Sequence, residues 1–183
     1  METTSTNDDG NRVNIAYIDG ANLDQALRGL GWKLDYKRFR VWLSEKYHVD
    51  RAYIFIGLIE KYKKLYNYFQ ESGFILIFKE VLYQGDKTKG NCDSDLLMQA
   101  AKDFYEGDLN KAILVASDGD YAPLVKVLKN RDQIEVILSP ASAKRCSILL
   151  KRTNVTIAYL NKQRSLLKVR PINEKAPDTD ETV

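Results

Sequence analysis

The run Ala112-Ile-Leu-Val-Ala116 passes without a break into Ser117-Asp-Gly-Asp120. Five consecutive apolar residues between polar neighbours read as a short strand buried on both faces. Such a strand belongs at the centre of a parallel sheet covered by helices. Its ending sets two carboxylates, one glycine apart, at the carboxyl end of a buried strand. In open α/β sheets that edge is where ligands bind. Close carboxylates repel one another, and a hard cation, a proton or a hydrogen-bond donor has to compensate them.

The rest of the chain supplies a sheet for this strand. Val13–Ile18 reads as a first strand and delivers Asp19-Gly-Ala-Asn22, with Asn22 as the cap of a helix ending near Gly29 or Gly31. Asp35 caps a second helix whose buried side is Phe39, Trp42, Leu43 and Tyr47. Arg51–Ile59 is a second strand, Lys61–Gln70 a helix closed by Gly73, and Phe74–Phe78 a third strand. Tyr83–Cys92 is expected as a polar loop. A helix over Asp93–Tyr105 carries the stripe Leu96, Leu97, Ala100, Ala101 and Phe104. Asp120 opens a helix that tolerates Pro123 in its first turn. Gln133–Leu138 is a fifth strand, Ser142 caps a helix reaching Lys151, and Val155–Tyr159 is a sixth strand.

Strands alternating with helices throughout predict one doubly wound α/β domain. Its five- to six-stranded sheet is mainly parallel, with helices on both faces, as in Rossmann-like folds. The pattern assigns 1–12 to a disordered lead-in, 13–164 to the folded domain and 165–183 to a largely disordered acidic tail.

Charge separates the body from its ends. Residues 1–12 carry −2 and residues 171–183 carry −3, so a chain of net +3 has +8 on the stretch between them. A basic body around an acidic pocket suits a polyanionic substrate held over a metal site, although most lysines are simply solvated. Lys61-Tyr-Lys-Lys-Leu-Tyr-Asn-Tyr-Phe mixes cations with aromatics. That mixture serves base stacking in some proteins, but tyrosines at helical spacing more often pack at a core edge. The two cysteines, Cys92 and Cys146, have no metal-site spacing, and the N-terminus lacks a secretion signal. The expectation is a cytoplasmic protein with reduced thiols.

The acids at strand ends or helix starts are Asp19, Asp93, Asp95, Asp118 and Asp120. Asp19 and Asp118 share one context, an apolar strand followed by Asp-Gly. They face each other if their strands meet at the topological switch point. Asp93, Asp95 and Asp120, taken singly, are explained by the helix dipole, worth about 0.3–1 kcal/mol. There is no phosphate loop of the Walker type and no Gly-x-Gly-x-x-Gly after a strand. The single histidine, His48, sits at a helix end, which leaves zinc chemistry and a Ser-His-Asp triad without support. An all-oxygen site suits Mg²⁺ or Mn²⁺.

Three blocks, Ile18-Asp-Gly-Ala-Asn22, Lys89-Gly-Asn-Cys-Asp93 and Ala116-Ser-Asp-Gly-Asp-Tyr121, resemble the signature blocks of the NYN domain family. The likeness covers roughly residues 13–160. It implies the PIN-like nuclease fold, of which the LabA-like proteins are a branch. It also implies a metal-dependent site in which Asp19, Asp93, Asp118 and Asp120 are both metal ligands and catalytic acids. Asn22 and Lys89, with Lys87 beside it, would contact substrate, and Ser117 is structural. Cys92 stands where a small apolar residue is usual, and Asp95 is an extra acid that a helix turns to another side.

The expected function is therefore an Mg²⁺- or Mn²⁺-dependent endoribonuclease acting on RNA. The alternative is a non-catalytic RNA- or protein-binding regulatory module of the same fold. A phosphohydrolase with an aspartyl nucleophile would want Asp-x-Asp at the first strand, where Asp19-Gly-Ala stands instead. DNA in place of RNA stays open, as does a homodimer, for which the sequence carries no interface signal.

Overall fold

The computed structural model describes residues 12–79, 82–84, 87–89 and 93–170, the two short pieces by their backbone alone. The strands of the main sheet are β1 (Val13–Asp19), β2 (Val49–Gly57), β3 (Ile75–Lys79), β6 (Leu109–Val115), β7 (Ile134–Ser139) and β8 (Ile157–Tyr159), while β4 (Leu82–Gln84) and β5 (Lys87–Lys89) form a separate pair. The helices are α1 (Gly20–Gly29), α2 (Tyr36–Tyr47), α3 (Lys63–Glu71), α4 (Asp93–Tyr105), α5 (Ala122–Asn130), α6 (Ile148–Lys151) and α7 (Arg164–Leu167).

The six-stranded sheet is parallel throughout, in the order β3-β2-β1-β6-β7-β8. The chain builds outward from β1 in one direction, then returns to the other side of β1 and builds outward again. The switch point therefore lies between β1 and β6, with Ile18 opposite Val115 at its carboxyl end. The two strands that end in Asp-Gly are neighbours, as their shared context predicts.

Side-chain alternation divides the core in two. Ala16, Ile18, Ile113 and Val115 pack with Leu23 and Leu27 of α1, Phe39, Trp42 and Leu43 of α2, Phe69 of α3 and Leu167 of α7. Ile15, Tyr17, Ala112, Leu114 and Ala116 pack with Leu96 and Ala100 of α4, Val125 and Leu128 of α5 and Leu150 of α6. The opening apolar run is thus buried on both faces. Leu167 has no exposure, and Leu34 bridges to Lys168, so ordered packing reaches beyond residue 164. His48 is an exposed helix cap in the left-handed conformation, a surface role. Among the described residues no helix is long and apolar enough to cross a membrane.

Three local expectations differ from the fold. Helix α1 starts at Gly20 and is capped by Asp19, so Asn22 lies inside its first turn. The glycine makes this possible. A Cβ on Gly20 would sit 2.9 Å from the Phe55 carbonyl oxygen and 3.2 Å from Ile54 Cγ2. Helix α6 is capped by Ser147, not Ser142, because the Ser147 amide is bonded to Ser117 and the segment before it is a tight turn. The polar stretch 83–92 contains the antiparallel pair β4–β5, with Leu82 opposite Lys89. Its strands are only three residues long, too short for alternation to reveal them.

A buried polar contact fixes α4 against the sheet. The Tyr17 hydroxyl donates to Asp103 Oδ2 at 2.8 Å, and Gln99 Nε2 donates to Asp103 Oδ1 at 2.8 Å. Tyr17→Phe leaves this buried carboxyl one donor short. The expected cost is about 1–3 kcal/mol of unfolding free energy, read in a urea titration. A loss below a few tenths of a kcal/mol would show that the contact does not hold α4.

Candidate active site at the sheet switch point

Asp19 is the last residue of β1, and strand alternation turns its side chain to the face that carries α4 and α5. Its Oδ1 accepts the Asn22 amide N–H at 2.9 Å, which caps α1. Its Oδ2 accepts the Tyr121 hydroxyl at 2.9 Å. The same hydroxyl lies 2.6 Å from Oδ1 of Asp93, the first residue of α4. One phenol therefore bridges two carboxyl groups that lie far apart in the sequence.

The electrostatics of this bridge are unbalanced. Asp19 is only 6% exposed. Burial pushes its carboxyl above the ordinary aspartate range. The Asn22 amide and the Tyr121 hydroxyl pull it back, and the Asp93 charge raises it again. Tyr121 has no exposure, and burial together with the two acids drives its hydroxyl far above the usual tyrosine range, so it stays a phenol. A phenol has one proton and can satisfy one carboxylate at a time.

The neighbouring strand end is stitched to the same turn. Asn22 Oδ1 accepts from both the amide (3.0 Å) and the hydroxyl (2.8 Å) of Ser117, two residues past the end of β6. Its side-chain nitrogen has no partner among the described residues. Asp118 and Asp120 follow on the 3-10 turn Gly119–Tyr121, where Asp118 Oδ1 accepts the Asp120 amide at 3.1 Å. Both acids are exposed. Gly119 is required here, because a Cβ would lie 2.5 Å from Ser147 Oγ. That tight turn carries Tyr121 back under Asp19.

Of the four acids read from the sequence, Asp19 and Asp93 are thus brought onto one hydroxyl, while Asp118 and Asp120 occupy the adjoining exposed turn. Among the described residues no group of three or more histidines, cysteines or acids is arranged to hold a metal. Mg²⁺ nonetheless commonly takes one or two carboxylates and fills its remaining positions with water and substrate phosphate. Asp19, buried, and Asp93, half-buried, bring two carboxyl groups together in a way that fits that requirement. Asn22 supports the turn with its oxygen, and Ser117 is structural. Asp95 faces β3 through Lys79, 3.8 Å away. Lys87 and Lys89 lie on β5, and their side chains, like Cys92, fall outside the described residues. Tyr121 is the member that sequence reasoning missed. Its only signal was an aromatic directly after Asp118-Gly-Asp120, where solvent-facing turns rarely need one.

The sequence matches the model of the NYN domain over residues 14–164, and the chain belongs to that family. NYN domains are in general nuclease-like domains of the PIN type. The crystal structure of a Vibrio parahaemolyticus protein of unknown function superposes with a TM-score of 0.67 at 18% identity, covering 91% of this chain and 99% of that one. It shares the fold. No curated protein matches the sequence.

The raised Asp19 carboxyl has a pH consequence. A folded-state value above the unfolded one gives stability that is complete at low pH and is lost as pH rises through the folded value. In chelator, Asp19→Asn is therefore expected to melt above the wild type at pH 7. The gap should close as pH falls below the ordinary aspartate value. A variant that melts lower at pH 7, by a margin constant into acid, would contradict this.

Proposed function

We propose that this NYN-domain protein is a metal-dependent endoribonuclease that hydrolyses RNA phosphodiester bonds at the β1–β6 switch point. The observation that carries the reading is the Tyr121 hydroxyl shared between Asp19 and Asp93, which brings two carboxyl groups from distant parts of the chain together at the switch point. Two carboxylates held close, one of them buried, repel each other, and a site that gains by taking up a cation is a reason to keep them together.

Asp19 and Asp93 would hold Mg²⁺ or Mn²⁺. The ion's chemistry there is to orient a water, lower its pKa and offset charge on the phosphodiester. Asp19 is held rigid by the α1 cap, and Asp93 is aimed by α4, which Tyr17 and Asp103 lock to β1. Asp118, one residue past the Asn22–Ser117 bonds, stands at the open side. There it can take a proton from the attacking water or complete the ligand set. Asp120 is its exposed neighbour on the same turn, and its backbone amide steadies the Asp118 side chain. The free side-chain nitrogen of Asn22 can donate to a phosphate oxygen, and Lys87 and Lys89 would add charge from β5.

A second reading has its own observation. The described acids form a pair and no larger group, which would suit a non-catalytic RNA- or protein-binding module. Calorimetry with Mn²⁺ separates the two, since a module of that kind would bind none.

The direct test is end-labelled and internally labelled RNA incubated with Mn²⁺. Wild-type protein should release internal fragments, and Asp19→Asn and Asp118→Asn should each lose about 100-fold or more, the scale of a removed catalytic acid. Equal rates for all three proteins would trace the activity to a contaminant and remove the assignment.

A further inference from the structure

The two carboxylate oxygens that the Tyr121 hydroxyl joins are the two that an ion between these acids would take. Asp19 Oδ1 is committed to the Asn22 amide at 2.9 Å, the contact that caps α1. The oxygen turned away from that cap is Oδ2, and the Tyr121 hydroxyl lies 2.9 Å from it. On the other side the same hydroxyl lies 2.6 Å from Asp93 Oδ1. The two acids thus present oxygens within two hydrogen-bond lengths of each other, with the phenol oxygen between them.

Mg²⁺ holds oxygen ligands at about 2.0–2.1 Å, shorter than a hydrogen bond. An ion bonded to Asp19 Oδ2 and Asp93 Oδ1 draws them closer than the phenol does and needs the space of the phenol oxygen. Ion and hydroxyl cannot share it. The hydroxyl has no easy exit either. Tyr121 has no exposure and belongs to the core layer of Ala122, Val125 and Leu150. Its turn is pressed against α6, where a Cβ on Gly119 would lie 2.5 Å from Ser147 Oγ and 3.0 Å from Leu149 Cδ1. The phenol therefore gives way by a shift of its ring together with the turn Gly119–Tyr121, whose cap is Asp118.

We propose that the Tyr121 hydroxyl is a placeholder for the ion. It fills the seat between Asp19 and Asp93 in the metal-free protein, and an ion has to displace it. Tyr121 then sets how tightly metal binds, because loading breaks hydrogen bonds that the hydroxyl makes. Loading also moves the turn that carries Asp118 and Asp120. This rests on the reading of Asp19 and Asp93 as metal ligands and adds what guards their seat. A hydroxyl that served only as a strut would have the opposite sign, since its loss would loosen the acids and weaken metal binding.

The test is calorimetry with Mn²⁺ at pH 7 on the full chain, wild type against Tyr121→Phe. Phenylalanine keeps the ring and removes only the hydroxyl. Tyr66→Phe is the control. Its buried hydroxyl joins the Ile59 amide and the Gly57 carbonyl, each at 2.9 Å, beyond the end of β2 and away from the acids. Thermal melts in chelator check that each variant is folded. Tyr121→Phe should bind Mn²⁺ about 10-fold more tightly, the worth of one hydrogen bond to a charged group. Tyr66→Phe should match the wild type. Binding by Tyr121→Phe alone would support the placeholder in its strongest form. Unchanged or weaker binding in Tyr121→Phe would overturn the placeholder and leave the cation seat standing. Absence of Mn²⁺ binding in both proteins would overturn both. A second measurement needs no variant. Wild-type protein isotope-labelled at the tyrosine Cζ is titrated with Mg²⁺ and followed by NMR. One tyrosine resonance should shift in step with saturation, and tyrosine signals that stay fixed at saturating Mg²⁺ would contradict displacement.

Discussion

The Tyr121 hydroxyl holds together a site whose parts lie far apart in the chain. It reaches Asp19 at the end of β1 and Asp93 at the start of α4, and it belongs to the turn that follows β6. Three elements thereby meet on one proton. The proton cannot serve both carboxyl groups at once, and the bridge holds their geometry. A buried ion pair with lysine would have been quieter. The proposed function makes this bridge the seat of a cation that comes from solution.

Much of the remaining structure serves to keep that bridge in register. Tyr17 and Asp103 tie the body of α4 to β1, and Tyr121 ties its first residue to the same strand. Gly20 lets α1 begin directly against β2, which puts Asp19 in the capping position. Gly119 lets its turn pack on Ser147, which lets Tyr121 dive into the core. Asn22 and Ser117 close the gap between the ends of β1 and β6. These contacts are short-range and polar, and they concentrate at the carboxyl edge. The apolar packing on either face supplies the rigid frame behind them.

The fold was legible because its signals are periodic. The run Ala112–Ala116 and the alternation of strands with helices are enough for a doubly wound parallel sheet, and the repeated Asp-Gly ending is enough to pair β1 with β6. Asp19 and Asp93 could be named as candidates from their positions. What joins them could not, because a tyrosine hydroxyl has no periodic mark and its partner lies 102 residues away. Capping was misread at Asn22 and Ser142 for a related reason. Several residues in each stretch can cap, and the choice is made by tertiary bonds to Ser117.

The most direct measurement is a crystal of the full chain grown or soaked with Mn²⁺ and recorded near the manganese absorption edge. An anomalous peak bonded to both Asp19 and Asp93 is predicted, at about 2.2 Å from their oxygens as for hard divalent ions, with the Asp118 turn on its open side. A structure in which manganese is bound elsewhere, or in which the Tyr121 hydroxyl still bridges an ion-free Asp19 and Asp93 at saturating Mn²⁺, would contradict the assignment of this pair as the cation seat.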